Sequence, residues 1–339
     1  MEKKMTIFEP CTFLPSNDHT IEKFNLNDFE IGEKLCKLPN GYIALCKKVK
    51  TNQLFSIIVL RKADLLQSKF VEHELNRFQN LSSIYHPFVI ELKAINNTDP
   101  YNLFYLAEFV AGANLKNLIK TKEKLPLEQA KFYLASLITI LDYLHKKKII
   151  YRDLRPDLIL VNNNGYIKLI DFSYSKKMKS DLTYSLCGIP EYYSPEMITQ
   201  TGYYKSVDFW QLGILLYEMI IGYTPFLDSD PVKLYAKIKN CNIKFPKNIN
   251  KNAKTIIRHF LIVDPNKRVG CTKKGIYEIT QSPFFEGFDW EGLLHRNLQA
   301  PFIPSINHIY LCSYKKIKNI YLEDNNVIIP KEKDPFYDW

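Results

Sequence analysis

Two short stretches hold the side chains best suited to chemistry. Tyr151-Arg152-Asp153-Leu154-Arg155-Pro156-Asp157 sets carboxylates beside guanidinium groups, and Leu169-Ile170-Asp171-Phe172-Ser173 places a further carboxylate among apolar neighbours. Carboxylates serve in general as proton acceptors or as oxygen ligands for hard cations. Each can equally do no more than satisfy backbone N–H groups of its own loop. The seven Cys, at 11, 36, 46, 187, 241, 271 and 312, are scattered and never form a CxxC pair. Neither a disulfide framework nor a zinc site is therefore expected, and a reducing compartment fits better. The excess of 46 Lys+Arg over 36 Asp+Glu is spread over short runs at 47–50, 146–148, 176–179 and 315–318. Runs this short read as solvated faces, so no nucleic-acid partner is expected.

The elements that must position these residues follow from composition and period. With 46% hydrophobic and 14% aromatic residues over 339 positions, the chain has the apolar material for a sizeable core. That excludes a mainly disordered protein. No apolar run reaches the roughly 18 residues of a membrane span. The N-terminus lacks a signal-peptide core and Glu2 excludes N-myristoylation, so a cytoplasmic location is expected. Residues 1–28 read as an extension. From 29 to 110 short apolar runs alternate with turn residues and predict strands, interrupted by one helix over 68–81. From 111 to 298 the texture is helical, with Pro126 at the first turn of a long amphipathic helix. Residues 299–339, with several Pro and charges, read as an extended tail.

Several stretches in fixed order carry a family resemblance. YRDLRPDLILV (151–161), LIDFS (169–173), LCGIPEYYSPE (186–196), DFWQLG (208–213) and DPNKRVG (264–270) resemble the catalytic loop, metal-binding element, P+1 segment, helix start and ion-pairing arginine of protein kinases. EFVAG, GYYKSVDFW, APFIP (300–304) and the final DPFYDW are similar to the AGC group, in its cAMP-dependent catalytic-subunit branch. The resemblance covers roughly residues 29–305. It implies an α+β bilobal fold, with a β-rich small lobe, a helical large lobe and a wrapping tail whose Phe336 and Trp339 dock as a hydrophobic motif. Asp208 matches the anchor of the catalytic loop, and Glu196 with Arg268 a large-lobe ion pair.

The same resemblance assigns roles residue by residue. Asp153 stands at the catalytic base and Asp171 at a metal ligand; Arg155 replaces the lysine that contacts the transferring phosphate. The nucleotide pocket falls on Gly41, Ile43, Ser56, Ala107, Glu108, Val110 and Leu160. Ser185 matches an activation-loop phosphosite, with Arg152 and His73 as cationic partners. Asp157 and Glu218 match residues that read basic substrates, where a third position is Asn114. Against this stand the departures. Cys36 and Leu38 replace glycines of the phosphate loop, and Pro39 removes an N–H donor. Ile58 replaces the strand lysine and Arg77 its glutamate partner. Glu74 lies about one turn from Arg77 and Lys62 further along the strand, so a rescue by this pair is conceivable. At about 3.3 Å per strand residue its reach is poor, and true loss is favoured. Leu158 replaces the asparagine that holds a second metal, and Ser173 the glycine after Phe172. ATP and magnesium, the cofactors implied, are expected to bind weakly. The expectation is a catalytically impaired pseudokinase that acts by binding or allostery on a regulatory subunit, an active paralogue or a substrate protein. The alternative is an active but atypical Ser/Thr kinase that uses Asp153 and Asp171.

Overall fold

The computed structural model describes residues 21–38, 40–68, 70–178, 182–305 and 327–337. The chain divides into two units, one gathering the described residues of 21–85, 90–112, 305 and 327–337, the other those of 86–89 and 113–304.

Alternation of apolar residues builds the small unit. Strands β1 (Glu22–Lys23), β2 (Phe29–Leu38), β3 (Gly41–Lys48), β4 (Leu54–Arg61), β5 (Leu92–Asn96) and β6 (Asn102–Glu108) form one sheet in the order β1-β5-β6-β4-β3-β2. Only the β1–β5 pair is parallel. Phe55, Ile57 and Val59 of β4 share a core with Tyr42, Ala44 and Cys46 of β3. That is the period of two expected when one face of a sheet is packed. The opposite face of the same strands carries Ser56 and Ile58, paired across to Ala107 and Tyr105 of β6. β1 brings part of the predicted N-terminal extension into this sheet. Where one helix was expected there are two, α1 (Lys62–Gln67) and α2 (Val71–Ser82). The first was hidden because β4 runs into it without turn residues, and its Lys, Ala, Leu and Gln favour a helix once the strand ends.

Lys62 opens α1 and is fully buried. Its ammonium donates to the carbonyls of Asn97 and Asp99, each at 2.7 Å, and to Asp334 Oδ2 at 2.5 Å. The other Asp334 oxygen accepts from the Phe336 N–H at 3.0 Å, and Asn97 Nδ2 donates to the Phe336 and Tyr337 carbonyls at 2.7 and 3.1 Å. Phe336 is thereby held with no exposed surface. Trp339 lies outside the described residues.

The large unit is mainly helical. Strand β7 (Gly112–Asn114) leads into α3 (Leu115–Lys122), which Asn114 caps by accepting from the N–H groups of Lys116 and Asn117. Helix α4 (Leu127–Lys146) follows, with Pro126 one position earlier than predicted, at its N-cap. Short strands β8 (Ile149–Ile150), β9 (Ile159–Asn162), β10 (Ile167–Leu169) and β11 (Lys176–Lys177) carry the loops between them. Then come α5 (Pro195–Ile198), α6 (Ser206–Ile221), α7 (Pro231–Lys239) and α8 (Lys251–Phe260). Nearly every residue of α6 is buried, and Gly222 ends it at φ +103°, where a side chain would also strike the Glu123 carbonyl. Arg268 forms a bidentate pair with Glu196, at 2.6 and 3.0 Å, and donates to the Ser206 carbonyl at 2.7 Å. The start of the predicted tail packs here, with Phe302 under the Lys122 ammonium at 3.6 Å.

Removing one partner of a buried, hydrogen-bonded ion pair leaves the other charge uncompensated. The Asp334→Ala variant should therefore lose about 3–5 kcal/mol of small-unit stability in urea unfolding. A midpoint equal to the parent's would show that Lys62 and the terminal segment do not support each other.

Candidate active site

The loop at 151–155 is shaped from beneath by α6. Asp208, with no exposed surface, accepts from the Tyr151 and Arg152 N–H groups at 3.0 and 2.7 Å and faces His145 Nε2 at 2.7 Å. One turn on, Gln211 accepts from Leu154 N–H at 2.9 Å and donates to the Arg152 carbonyl at 2.8 Å. These bonds hold Arg152 at φ +72°, a region that non-glycine residues enter at a cost. The Arg152 guanidinium turns inward, donating to the Tyr174 carbonyl at 2.6 Å and reaching Tyr203 Oη at 3.4 Å. Tyr203 in turn donates to the Ser185 carbonyl at 2.5 Å. Ser185 itself is exposed.

On this frame both candidate carboxylates are engaged by their own loops. Asp153, buried, accepts from Arg155 Nε through both oxygens at 3.1 and 3.3 Å. Arg155 also lies 3.4 Å from Asp157. Gly188, at φ +89°, closes on the same group, since a Cβ there would stand 2.8 Å from Asp153 Oδ1. Asp171 Oδ1 accepts from the Ser173 N–H at 3.0 Å and from its hydroxyl at 2.7 Å. The glycine it replaces could not make the second bond. Tyr151 and Phe172 pack edge to face at 5.2 Å, and Tyr151 donates to the Asp171 carbonyl at 2.6 Å. Leu158, which follows Asp157 and is half-buried, brings no oxygen side chain. Burial raises the Asp153 carboxyl to about 6, a rise that Arg155 opposes and Asp171 and Asp157 assist.

In the small unit the predicted phosphate loop is the end of a hairpin. Cys36 is exposed on β2 opposite Ile43, and Leu38 pairs with Gly41. Gly41 is needed for packing: a Cβ there would run into the Val59 carbonyl of β4. Ile58 is buried, flanked by Ile43 and Tyr105. Arg77 lies over the Tyr105 ring at 5.9 Å, with Glu74 3.6 Å away on the same helix. Lys62, named as a conceivable partner for Glu74, is committed instead to Asp334. Ser56 lies opposite the buried Ala107. Glu108 closes a reciprocal pair with Glu91, its N–H donating to the Glu91 carbonyl at 3.0 Å and its Oε1 accepting from the Glu91 N–H at 2.9 Å. Val110 is half-buried, as is Leu160 on β9 of the large unit.

The Glu218 carboxylate is buried and already served: Lys116 Nζ lies 2.6 Å from Oε1, and the Tyr192 hydroxyl donates to Oε2. Sequence reasoning missed Lys116, Tyr192 and the Ser173 hydroxyl. Of these only Ser173 left a trace in the sequence, as a polar residue where a glycine was expected.

The residues matching the protein kinase domain family run from 29 to 285. The chain belongs to that family. It is similar to cAMP-dependent protein kinase catalytic subunit 3 of Drosophila melanogaster, at 33% identity over 85% of this chain and 49% of the relative. It is 39% identical to the cAMP-dependent protein kinase catalytic subunit of Dictyostelium discoideum, over 79% of this chain and 41% of that one. For cAMP-dependent protein kinase type 3 of Saccharomyces cerevisiae the identity is 36%, over 85% and 72%. The chain thus spans about half the length of the first two relatives or less. The fold expected from the sequence is the one found, a mixed α+β kinase domain with a sheet-rich unit and a helical unit. No described helix is long and apolar enough to cross a membrane.

The Asp153 shift gives the kinase domain a pH signature. A folded-state value raised to about 6, from about 4 in the unfolded chain, means the fold binds the proton more tightly. Stability from this group is therefore present below pH 4 and lost as pH rises through 6. The Asp153→Asn variant keeps the neutral form at all pH values. Relative to the parent, it should gain about 2 kcal/mol of stability between pH 4 and pH 7 in urea melts, whatever constant offset the lost Arg155 partner adds. An advantage that does not change with pH would contradict this assignment.

Proposed function

We propose that this chain is an AGC-type Ser/Thr kinase homologue with impaired phosphoryl transfer, acting by binding or allostery on a protein partner. A regulatory subunit, an active kinase paralogue or a substrate protein are the partners this reading admits. The observation that carries it is the engagement of Asp153 by Arg155 and of Asp171 by Ser173. Transfer from ATP needs a base open to the incoming hydroxyl and metal-held phosphates. Magnesium demands a near-octahedral set of oxygens. Here Leu158 offers none, Asp171 Oδ1 already takes two bonds, and among the described residues no three His, Cys, Asp or Glu gather into a metal group. The residues present do not fit two metal ions. In the small unit Ile58, which the resemblance aligns with a phosphate-contacting lysine, is a buried apolar side chain. Loss of several such contributors, each worth about two to three orders of magnitude in rate, supports a binding role.

A second reading has its own support. Asp153 near 6 lies within reach of a working base at neutral pH, and its loop is fully formed on α6. Phosphate transfer to a serine peptide, with ATP titrated in the presence and absence of magnesium, separates the two. The impaired reading expects ATP affinity that magnesium leaves unchanged and turnover at least about 10³-fold below an active relative. It also expects magnesium-dependent gains when Ile58→Lys, Arg77→Glu, Leu158→Asn and Ser173→Gly are combined. Turnover in the parent chain comparable to an active kinase, abolished by Asp153→Asn, would establish the second reading instead.

A further inference from the structure

Lys116 is a cation in an unusual place. It sits in the first turn of α3, which contains no acidic residue, although the helix dipole there favours anions. Its ammonium nevertheless lies 2.6 Å from the buried Glu218 carboxylate of α6. Burial alone would lower Lys116, yet the bond to Glu218, with the charges of Glu218, Asp157 and Glu191, holds it above its ordinary value. The remaining Glu218 oxygen is taken by the Tyr192 hydroxyl, and Glu191 accepts from Thr224 Oγ1 at 2.7 Å. Asn114 Nδ2 donates to the Asp157 carbonyl at 2.8 Å and fixes the start of α3 against the 156–158 turn. The Lys116 side chain is 44% exposed while that of Glu218 is 2% exposed. A buried carboxylate is thus closed from outside by a displaceable arm of the same chain.

We infer that Lys116 fills, in cis, a cation subsite of the large unit, and so excludes basic residues of a bound polypeptide at that point. A segment lying there meets an ammonium in place of an open carboxylate, and it is neutral or acidic at that position. An incoming guanidinium gains Glu218 only by expelling Lys116, exchanging one charged contact for another. This inference rests on the reading of the domain as a binder of polypeptides.

The test measures affinity of the full chain for serine-centred fluorescent peptides by anisotropy, with arginine or glutamine placed at each preceding position in turn. In the parent, arginine and glutamine peptides should agree within about twofold at every position. Lys116→Met opens the Glu218 carboxylate, and arginine at one position should then gain about tenfold, or 1.4 kcal/mol. Adding Glu218→Gln should remove that gain, and Lys116→Arg should behave as the parent. Thermal melting verifies that each variant is folded. An arginine preference of tenfold in the parent that Glu218→Gln abolishes would overturn the inference. So would a folded Lys116→Met variant with no arginine gain, including one that binds no peptide. Active phosphate transfer by the parent would refute the impaired reading in its own assay and leave this comparison intact.

Discussion

The large unit depends on one fully buried carboxylate. Asp208 accepts the Tyr151 and Arg152 N–H groups and faces His145, while Gln211 secures Leu154 and Arg152 from the same helix. A carboxylate without exposed surface is tolerated only when its acceptor sites are filled, and a left-handed arginine only when its neighbours are fixed. Each condition meets the other here. The loop bearing Asp153 and Arg155 inherits its geometry from that exchange. The Glu196–Arg268 pair, buried beside Ser206, holds the start of the same helix.

The helix, its anchor and the large-unit ion pair are all in place, and the carboxylates near them are satisfied locally. Arg155 covers both oxygens of Asp153, Ser173 doubles its bonds to Asp171, and Lys116 occupies Glu218. In each case a side chain of the same chain takes the carboxylate as its acceptor. The cost is small, because a carboxylate in a low-dielectric loop is better paired than bare.

The small unit shows the same economy around a different cation. Lys62 gathers the Asn97 and Asp99 carbonyls and Asp334, so the terminal segment is held by charge and by the buried Phe336 ring together. Ile58, on the adjacent strand, meanwhile packs as an ordinary apolar residue beside Tyr105. The positive charge of this region serves the tail.

The sequence by itself determined the family, the α+β division and the chemical limits of single residues. Those rest on local order and on residue type: Leu158 cannot offer oxygen and Ile58 cannot carry charge in any fold. Short apolar runs bounded by turn residues marked the strands, while only packing showed that Phe55, Ile57 and Val59 face the core. Those runs did not mark α1, where a strand passes straight into a helix and no turn residue intervenes. Tertiary structure decided the partners. Lys62 and Asp334 meet although 272 residues apart in the chain, and Lys116 and Glu218 although 102 apart. A charge pair of that separation has no period or spacing to announce it, because it exists only once packing brings two elements together. Gly41 teaches the same lesson: assigned to the nucleotide pocket by resemblance, it lies so close to a β4 carbonyl that no side chain fits there.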